Sequence, residues 1–384
     1  MSAGPADPAG PADPAGLPEH RPALRPGILL SPPLLKGPSV VHLVKDPVSG
    51  ASFEIGPKEF FLVSRLDGTR TLAEIGVAYG EAFGRRLGER NWQQLLALLG
   101  TRRLLAGGPP PAAPKAAGPP RTGNLLRGTL RLVADADATT ARLHRILRPA
   151  LHPAVLGLLL LACLAMEGVL AANARELVRD LWWLASHPVP LLAVATLLWL
   201  STVVHEFAHG IAARHVGGTV GEIGLRWRLP VAIMYCTVDN YRYLRRRRDQ
   251  LSVAAAGAFA NLLFLLPFLG WWTALAPGDP TGRVLGALLL LGSAQALVNL
   301  VPLPPLDGYA MLGHALRVTR LAPAGSAYVR LRLRDRAAAA GYPARARRIY
   351  LGYAIGSAVL VLLAACALTA AVWYSIASSS TSPS

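Results

Sequence analysis

The sequence predicts a mostly α-helical, polytopic membrane bundle of about five transmembrane helices, preceded by a small α+β domain of winged-helix type. Three observations carry that prediction. Five apolar runs lie near 152 to 172, 190 to 213, 251 to 276, 284 to 301 and 349 to 374, and each is close to the ~20 residues that a helical crossing needs. Arginines gather between particular pairs of those runs rather than evenly along the chain. The first 150 residues have no comparable run and carry the short periodicities of a water-soluble domain instead.

In order along the chain, residues 1 to 29 contain Pro-Ala-Asp-Pro-Ala-Gly twice over and lack the basic start and apolar centre of a secretory signal, so they are expected to be a disordered tail. The domain expected over residues 30 to 107 opens with a β-hairpin. Val40 to Val44 and Ala51 to Ile55 flank Asp46-Pro47-Val48-Ser49-Gly50, a Pro/Gly turn. Three helices follow. The first runs from Pro57 to Leu66 and is stopped by Asp67-Gly68; the second runs from Leu72 to Phe83 behind Thr71; the third runs from Glu89 to Leu105 with Trp92, Leu95, Leu96, Leu98 and Leu99 on its apolar side. A stiff Pro/Ala linker is expected over 108 to 123 and a basic juxtamembrane segment over 124 to 150, where Thr129 to Leu147 has the pattern either of an amphipathic stretch lying on the membrane surface or of a solvated connecting helix. The membrane domain occupies 151 to 376, and residues 377 to 384 form a tail.

The net charge of +17 raises nucleic acid as a partner, but the placement of the arginines argues against it. Arg245 to Arg248 separate the second and third runs, and Arg330, Arg332, Arg334, Arg336, Arg345, Arg347 and Arg348 separate the fourth and fifth. By the positive-inside rule those loops and the N-terminal domain face the cytosol, so the chain is expected in a bacterial cell membrane with its N-terminal domain cytosolic. Trp182, Trp183, Trp271 and Trp272 fall at the opposite boundary as an aromatic belt. Cys163 and Cys366 lie inside apolar runs and Cys236 lies alone, which gives neither a disulfide framework nor a thiolate metal site.

The chemistry concentrates in the second run, which ends His205-Glu206-Phe207-Ala208-His209. Helix positions i and i+4 differ by roughly 40° of azimuth, so His205 and His209 present two imidazoles to one point with Glu206 beside them. Two nitrogen ligands at this spacing suit zinc, and a neighbouring carboxylate can act as the base for a water activated there. His205 should lie roughly 13 Å inside the cytosolic boundary, a depth at which ionisable groups are costly and usually functional. Prolines 302, 304 and 305 break the fourth helix just before Asp307. Counted back from Arg317, Asp307 comes to about 15 Å from the same boundary, a matching depth for a third ligand. Asn261 and Asn299 are amides in an apolar setting, open to two readings: donors to an oxyanion, or helix-to-helix hydrogen bonds. His215 is expected at the interface rather than as a ligand.

The pair of motifs His205-Glu206-Phe207-Ala208-His209 and Asn299-Leu300-Val301-Pro302-Leu303-Pro304-Pro305-Leu306-Asp307-Gly308 resembles the site-2 protease, or M50, family of intramembrane zinc metallopeptidases over about residues 152 to 375. The resemblance implies that His205, His209 and Asp307 are zinc ligands and Glu206 the catalytic acid/base. Ala256-Gly257-Ala258-Phe259-Ala260-Asn261 is similar to a further family element, with Ala258 where proline is usual. Gly221 to Tyr235 corresponds to a stretch that forms β-structure in related enzymes and holds substrate extended. The run Phe60 to Ile75, with Leu66-Asp67-Gly68-Thr69-Arg70-Thr71-Leu72 at its centre, resembles PqqD-like domains, which bind the leader of ribosomally made precursor peptides by adding it as a strand.

Together these readings imply a membrane zinc endopeptidase that matures, or removes the leader from, a precursor peptide in step with its export. Two alternatives stay open: site-2-type proteolysis of a membrane-bound signalling protein, and a non-catalytic metal-binding export or immunity partner. The expected partners are the peptide or membrane-protein substrate and the lipid bilayer, without nucleic acid. The sequence leaves the oligomeric state open.

Overall fold

The computed structural model describes residues 14–108, 121–229, 231–244, 246–276 and 278–380. Most of the repeated N-terminal Pro/Ala segment, most of the Pro/Ala linker, and residues 381–384 of the expected C-terminal tail lie outside the described residues. The chain divides into two compact units, Met1–Leu34 with Ser39–Gly118, and Leu35–Pro38 with Pro119–Ser384.

The N-terminal unit contains β1 (Leu29–Leu30), β3 (Ser39–Lys45), β4 (Ser52–Ile55), α1 (Pro57–Val63), α2 (Leu72–Phe83) and α3 (Glu89–Thr101); β2 (Leu34–Lys36) lies where the units divide. Strand β3 pairs antiparallel with β1, Leu30 opposite Val44, and with β4, Val44 opposite Phe53. Val44, Leu62, Leu66, Leu72, Ile75, Trp92 and Leu99 close a core between this sheet and the helices. Each such aliphatic side chain withdrawn from water contributes about 1.5–3 kcal/mol, so burial is the main stabilising term of this unit.

Residues 14 to 29 differ from the expected disordered tail. Pro14–Glu19 forms a 3₁₀ turn, Leu17 is buried in the core, and the Leu24 N–H donates to Leu66 O at 2.9 Å. A composition dominated by Pro and Ala conceals the apolar anchors Leu17 and Leu24, which are enough to order the segment once a core exists to receive them.

The Leu66-to-Leu72 stretch is explained by local chemistry. Gly68 has φ +78° in the turn, and Asp67 Oδ1 accepts from the Thr69 N–H at 2.9 Å and from its hydroxyl at 2.6 Å. Thr71 and Glu74 then exchange bonds as a capping box at the start of α2, with the Glu74 N–H donating to Thr71 Oγ1 at 3.1 Å and the Thr71 N–H donating to Glu74 Oε2 at 2.8 Å.

The second unit is a polytopic helical bundle with one small sheet. Five of its helices are long and apolar enough to cross a membrane: α5 (Pro153–Ala172), α7 (Pro188–His215), α8 (Arg247–Ala274), α9 (Pro280–Asn299) and the Ala344–Ala367 part of α13 (Ala344–Ser380). The others are α4 (Ala136–Leu147), α6 (Ala174–Ala185), α10 (Asp307–Leu316), α11 (Leu321–Arg334) and α12 (Arg336–Ala340). Lipid tails are as apolar as leucine, so apolar burial does little to hold spans together; small residues and polar bonds do more. Gly292 lets Leu265 of α8 approach α9, since a Cβ at residue 292 would stand 2.7 Å from Leu265 Cδ2. Ser293 of α9 donates to Glu167 of α5 at 2.7 Å, and Gln295 Nε2 donates to Thr202 Oγ1 of α7 at 3.1 Å.

Two further differences come from partners distant in sequence. Strands β5 (Arg121–Gly123) and β6 (Arg127–Arg131) occupy the end of the expected linker and the start of the expected amphipathic stretch, which is helical only from Ala136. They join β7 (Val220–Arg228) and β8 (Val231–Val238) in an antiparallel sheet of order β5-β6-β7-β8, with Leu130 opposite Leu225. Residues 121 to 131 have no strong local period of their own, and the edge of β7 supplies the bonds that make them strands. The charged segment after α5 is likewise an amphipathic helix, α6, with Leu177 and Leu184 fully buried.

Candidate metal centre

One continuous helix and one interrupted one create the site. Helix α7 stays helical through His205, Glu206 and His209, which places both imidazoles on one side. By contrast, α9 ends at Asn299, and the chain resumes as α10 with Asp307 as its first residue. Gly308 allows that fold-back, because a Cβ there would collide with the Leu300 and Val301 backbone. The loop therefore turns tightly enough to bring the Asp307 carboxylate to the α7 histidines.

Three ligand atoms converge. His205 Nε2 lies 3.0 Å and His209 Nε2 3.4 Å from Asp307 Oδ2, and the two Nε2 atoms lie 3.2 Å apart. Tetrahedral zinc with bonds of about 2.0–2.1 Å would separate its ligand atoms by about 3.3 Å. Asp307 Oδ2 is buried without a hydrogen-bond partner, although acceptors withdrawn from water are ordinarily satisfied. A buried carboxylate oxygen facing two imidazole nitrogens at ion-pair distance suits a shared cation.

The far sides of the rings are held as such a cation requires. His209 Nδ1 lies 2.7 Å from Val253 O; a carbonyl only accepts, so Nδ1 carries the proton and Nε2 keeps its lone pair. The Asn261 amide bridges Ser201 Oγ at 3.0 Å and His205 Nδ1 at 3.1 Å. A half-turn of the amide exchanges its donor and acceptor ends, and a hydroxyl serves either, so the bridge can hold His205 with its proton on Nδ1 and Nε2 free. His205, His209 and Asp307 could thus hold a metal ion, and they form the one such cluster among the described residues.

Space for an ion is kept by a residue to which the motif reading assigned no role. A Cβ on Gly257 of α8 would stand 2.5 Å from Nε2 of both His205 and His209, in the place an ion would take. The small-residue run Ala254-Ala255-Ala256-Gly257-Ala258 is the sequence signal of this close approach. Val253 was equally silent, because its contribution is a backbone carbonyl.

Of the other candidates, Glu206 is half-buried beside the centre, next to His205 on α7. Asn261 is 1% exposed and bonded behind His205, on the side away from the converging atoms. That is an orienting position rather than one facing an oxyanion. Asn299 is the last residue of α9 and, among the described residues, its side chain makes no bond to the cluster. His215 stands 3.3 Å from His144, apart from the centre. The Gly221-to-Tyr235 stretch is β7 and most of β8, with Pro230 between them outside the described residues.

Comparison with known proteins gives one informative relative. A Mycolicibacterium smegmatis protein named by inference as a zinc metalloprotease, Rip2, is 30% identical to this chain over 194 residues, which cover 44% of this chain and 73% of the relative. No protein-family model matches the chain. No solved structure matches it either.

Proposed function

Because the chain belongs to the zinc metalloprotease family of that Mycolicibacterium protein, we propose that it is a membrane-embedded zinc peptidase of site-2 type. The observation that supports this most directly is the convergence of Asp307 Oδ2 with both histidine Nε2 atoms, each within 3.4 Å of the others. His205, His209 and Asp307 would hold the zinc, which would supply Lewis acidity toward a scissile carbonyl and toward water. Glu206 takes the proton of the attacking water and delivers it to the departing amine. The Val253 carbonyl fixes the His209 tautomer, and Asn261 steadies His205.

The substrate enters extended. Strand β8 is the last in its sheet, and it packs against α7, which carries Glu206. A peptide laid along that edge as a further strand exposes its scissile amide, which a helix would keep bonded internally. We take the substrate to be a ribosomally made precursor peptide captured through residues 30 to 107. The cytosolic placement of that region, expected from the arginine-rich loops, would meet such a peptide before export. The Asp67-to-Leu72 stretch is accounted for by turn and capping bonds, so peptide capture is the part of this reading that needs its own test.

The decisive experiment measures zinc and cleavage together on the full chain in detergent or nanodiscs. Wild type should carry one zinc, Asp307→Ala should lose it, and Glu206→Gln should keep it while cleavage falls by roughly 10²–10⁴-fold, the usual contribution of a general base. Full zinc in Asp307→Ala, or undiminished cleavage by Glu206→Gln, would overturn the assignment. Deleting residues 30 to 107 should weaken binding of the precursor peptide; unchanged binding removes the capture role.

A further inference from the structure

A second cluster of imidazole and guanidinium groups lies outside the metal centre. Helix α4 packs on the end of α7, with Thr140 against Gly210: a Cβ at residue 210 would stand 2.7 Å from Thr140 Cγ2. One turn further along, His144 Nε2 faces His215 Nδ1 at 3.3 Å. The His144 ring borders a cavity of about 430 Å³ whose wall also includes Arg145, Arg148 and Arg214 and the bare backbone of Gly217-Gly218.

Charge decides what this cavity takes. The nitrogen separation nearly equals the 3.2 Å between His205 and His209, so distance alone would allow a metal. At the metal centre, however, the third group is a carboxylate, whereas here the neighbours are guanidiniums. Asp137 offsets one of them: Arg214 Nη1 donates to its carboxylate at 3.1 Å, and the Val220 N–H donates to the same Oδ1 at 3.0 Å. Arg145 and Arg148 form no ion pair among the described residues. The His144 pKa is lowered by burial first and then by the charges of His215, Arg148 and Arg214. Such a wall repels a divalent cation and attracts an anion with several acceptor oxygens.

Position narrows the anion further. Helix α5 begins at Pro153 and α7 ends at His215, so the cavity sits where one candidate span starts and another finishes, at the level of lipid headgroups. On the same turn of α4, Ile146 is 71% and Leu147 41% exposed. Apolar side chains beside unpaired arginines suit an interface in which acyl chains lie next to phosphates.

We propose that the cavity bordered by His144, Arg145, Arg148 and Arg214 binds the phosphate of an anionic membrane phospholipid. The full chain is delipidated in neutral detergent and titrated with phosphatidylglycerol or phosphatidylcholine in mixed micelles. Bound lipid is counted by native mass spectrometry, and the unfolding midpoint is followed in parallel. Phosphatidylglycerol should bind saturably and raise the midpoint, while phosphatidylcholine should do neither. The double variant Arg145→Gln/Arg148→Gln should bind phosphatidylglycerol roughly thirtyfold more weakly, as expected for two basic groups at a membrane surface. Arg334→Gln/Arg336→Gln, which removes the same charge from two other exposed positions, should bind as wild type does. Equal binding by the 145/148 variant overturns the proposal. So does an equal shift with inorganic phosphate alone, which would mark a free-anion site, or zinc binding abolished by His144→Gln, which would mark a metal site.

Discussion

Gly257 faces His205 and His209 so closely that a single added carbon would stand 2.5 Å from Nε2 of each ring. The α8 backbone therefore forms the floor of the space into which the two imidazoles and Asp307 point. Gly257→Ala should cut zinc retention by at least tenfold with the bundle still folded, an effect of crowded coordination space rather than of a lost ligand. Metal content after dialysis against a weak chelator checks this. Full retention would mean that no ion occupies the space between the rings.

Asn261 bridges Ser201 and His205 from behind, so its effect should reach the metal through ring orientation. Groups that hold a ligating histidine typically contribute 10–100-fold in metal affinity. Asn261→Leu should weaken zinc by about that factor in a chelator competition, and Asn261→Gln should recover little because its amide is displaced by one methylene. If affinity is unaffected but cleavage collapses, Asn261 acts on the reacting carbonyl instead.

Cys236 borders the centre, and burial pushes its thiol up to about 12, with the charges of Glu206 and Asp239 adding to the effect. At pH 8 the thiolate, which is the reactive form, is then almost absent. Alkylation of Cys236 in the folded chain should be far slower than that of a free thiol and should reach ordinary rates only after unfolding. Peptide mapping of a timed iodoacetamide reaction measures it. Rapid labelling would show that β8 leaves the α7 face readily.

The turn before α2 should be sensitive to acid. The Thr69 hydroxyl and then its N–H hold the Asp67 carboxyl down at about 2, against an ordinary 3.8. A carboxylate with its pKa depressed by folding stabilises the folded state above the unfolded pKa, and that contribution fades as pH falls toward the folded one. The difference in thermal midpoint between wild type and Asp67→Ala should therefore be constant above about pH 5 and shrink between about pH 4 and 2. A gap that persists at the lowest pH would mean that the aspartate acts through its shape alone.

The fold and the centre were legible in the sequence to different degrees. The five apolar runs coincide with α5, α7, α8, α9 and the first part of α13 because span length is set by bilayer thickness, a constraint that every run meets alone. His205, Glu206 and His209 were visible for a similar reason: helical periodicity puts them together whatever the rest of the chain does. Asp307 was legible only through its prolines and its depth, and the fold-back over Gly308 that aims it lies in the backbone.

The sequence by itself determined what each segment could do alone: which helices suit a membrane, where α2 is capped, and which side chains could bind a metal. The tertiary structure alone decided where separate segments meet: Leu17 in a core instead of a tail, residues 127 to 131 as a strand against β7, α8 close enough for Gly257 to border both imidazoles, and Val253 O on His209. The physical reason is that periodicity and capping act within a few residues. Close approach and backbone bonding depend on partners far away in the chain, and the local pattern of side chains does not encode them.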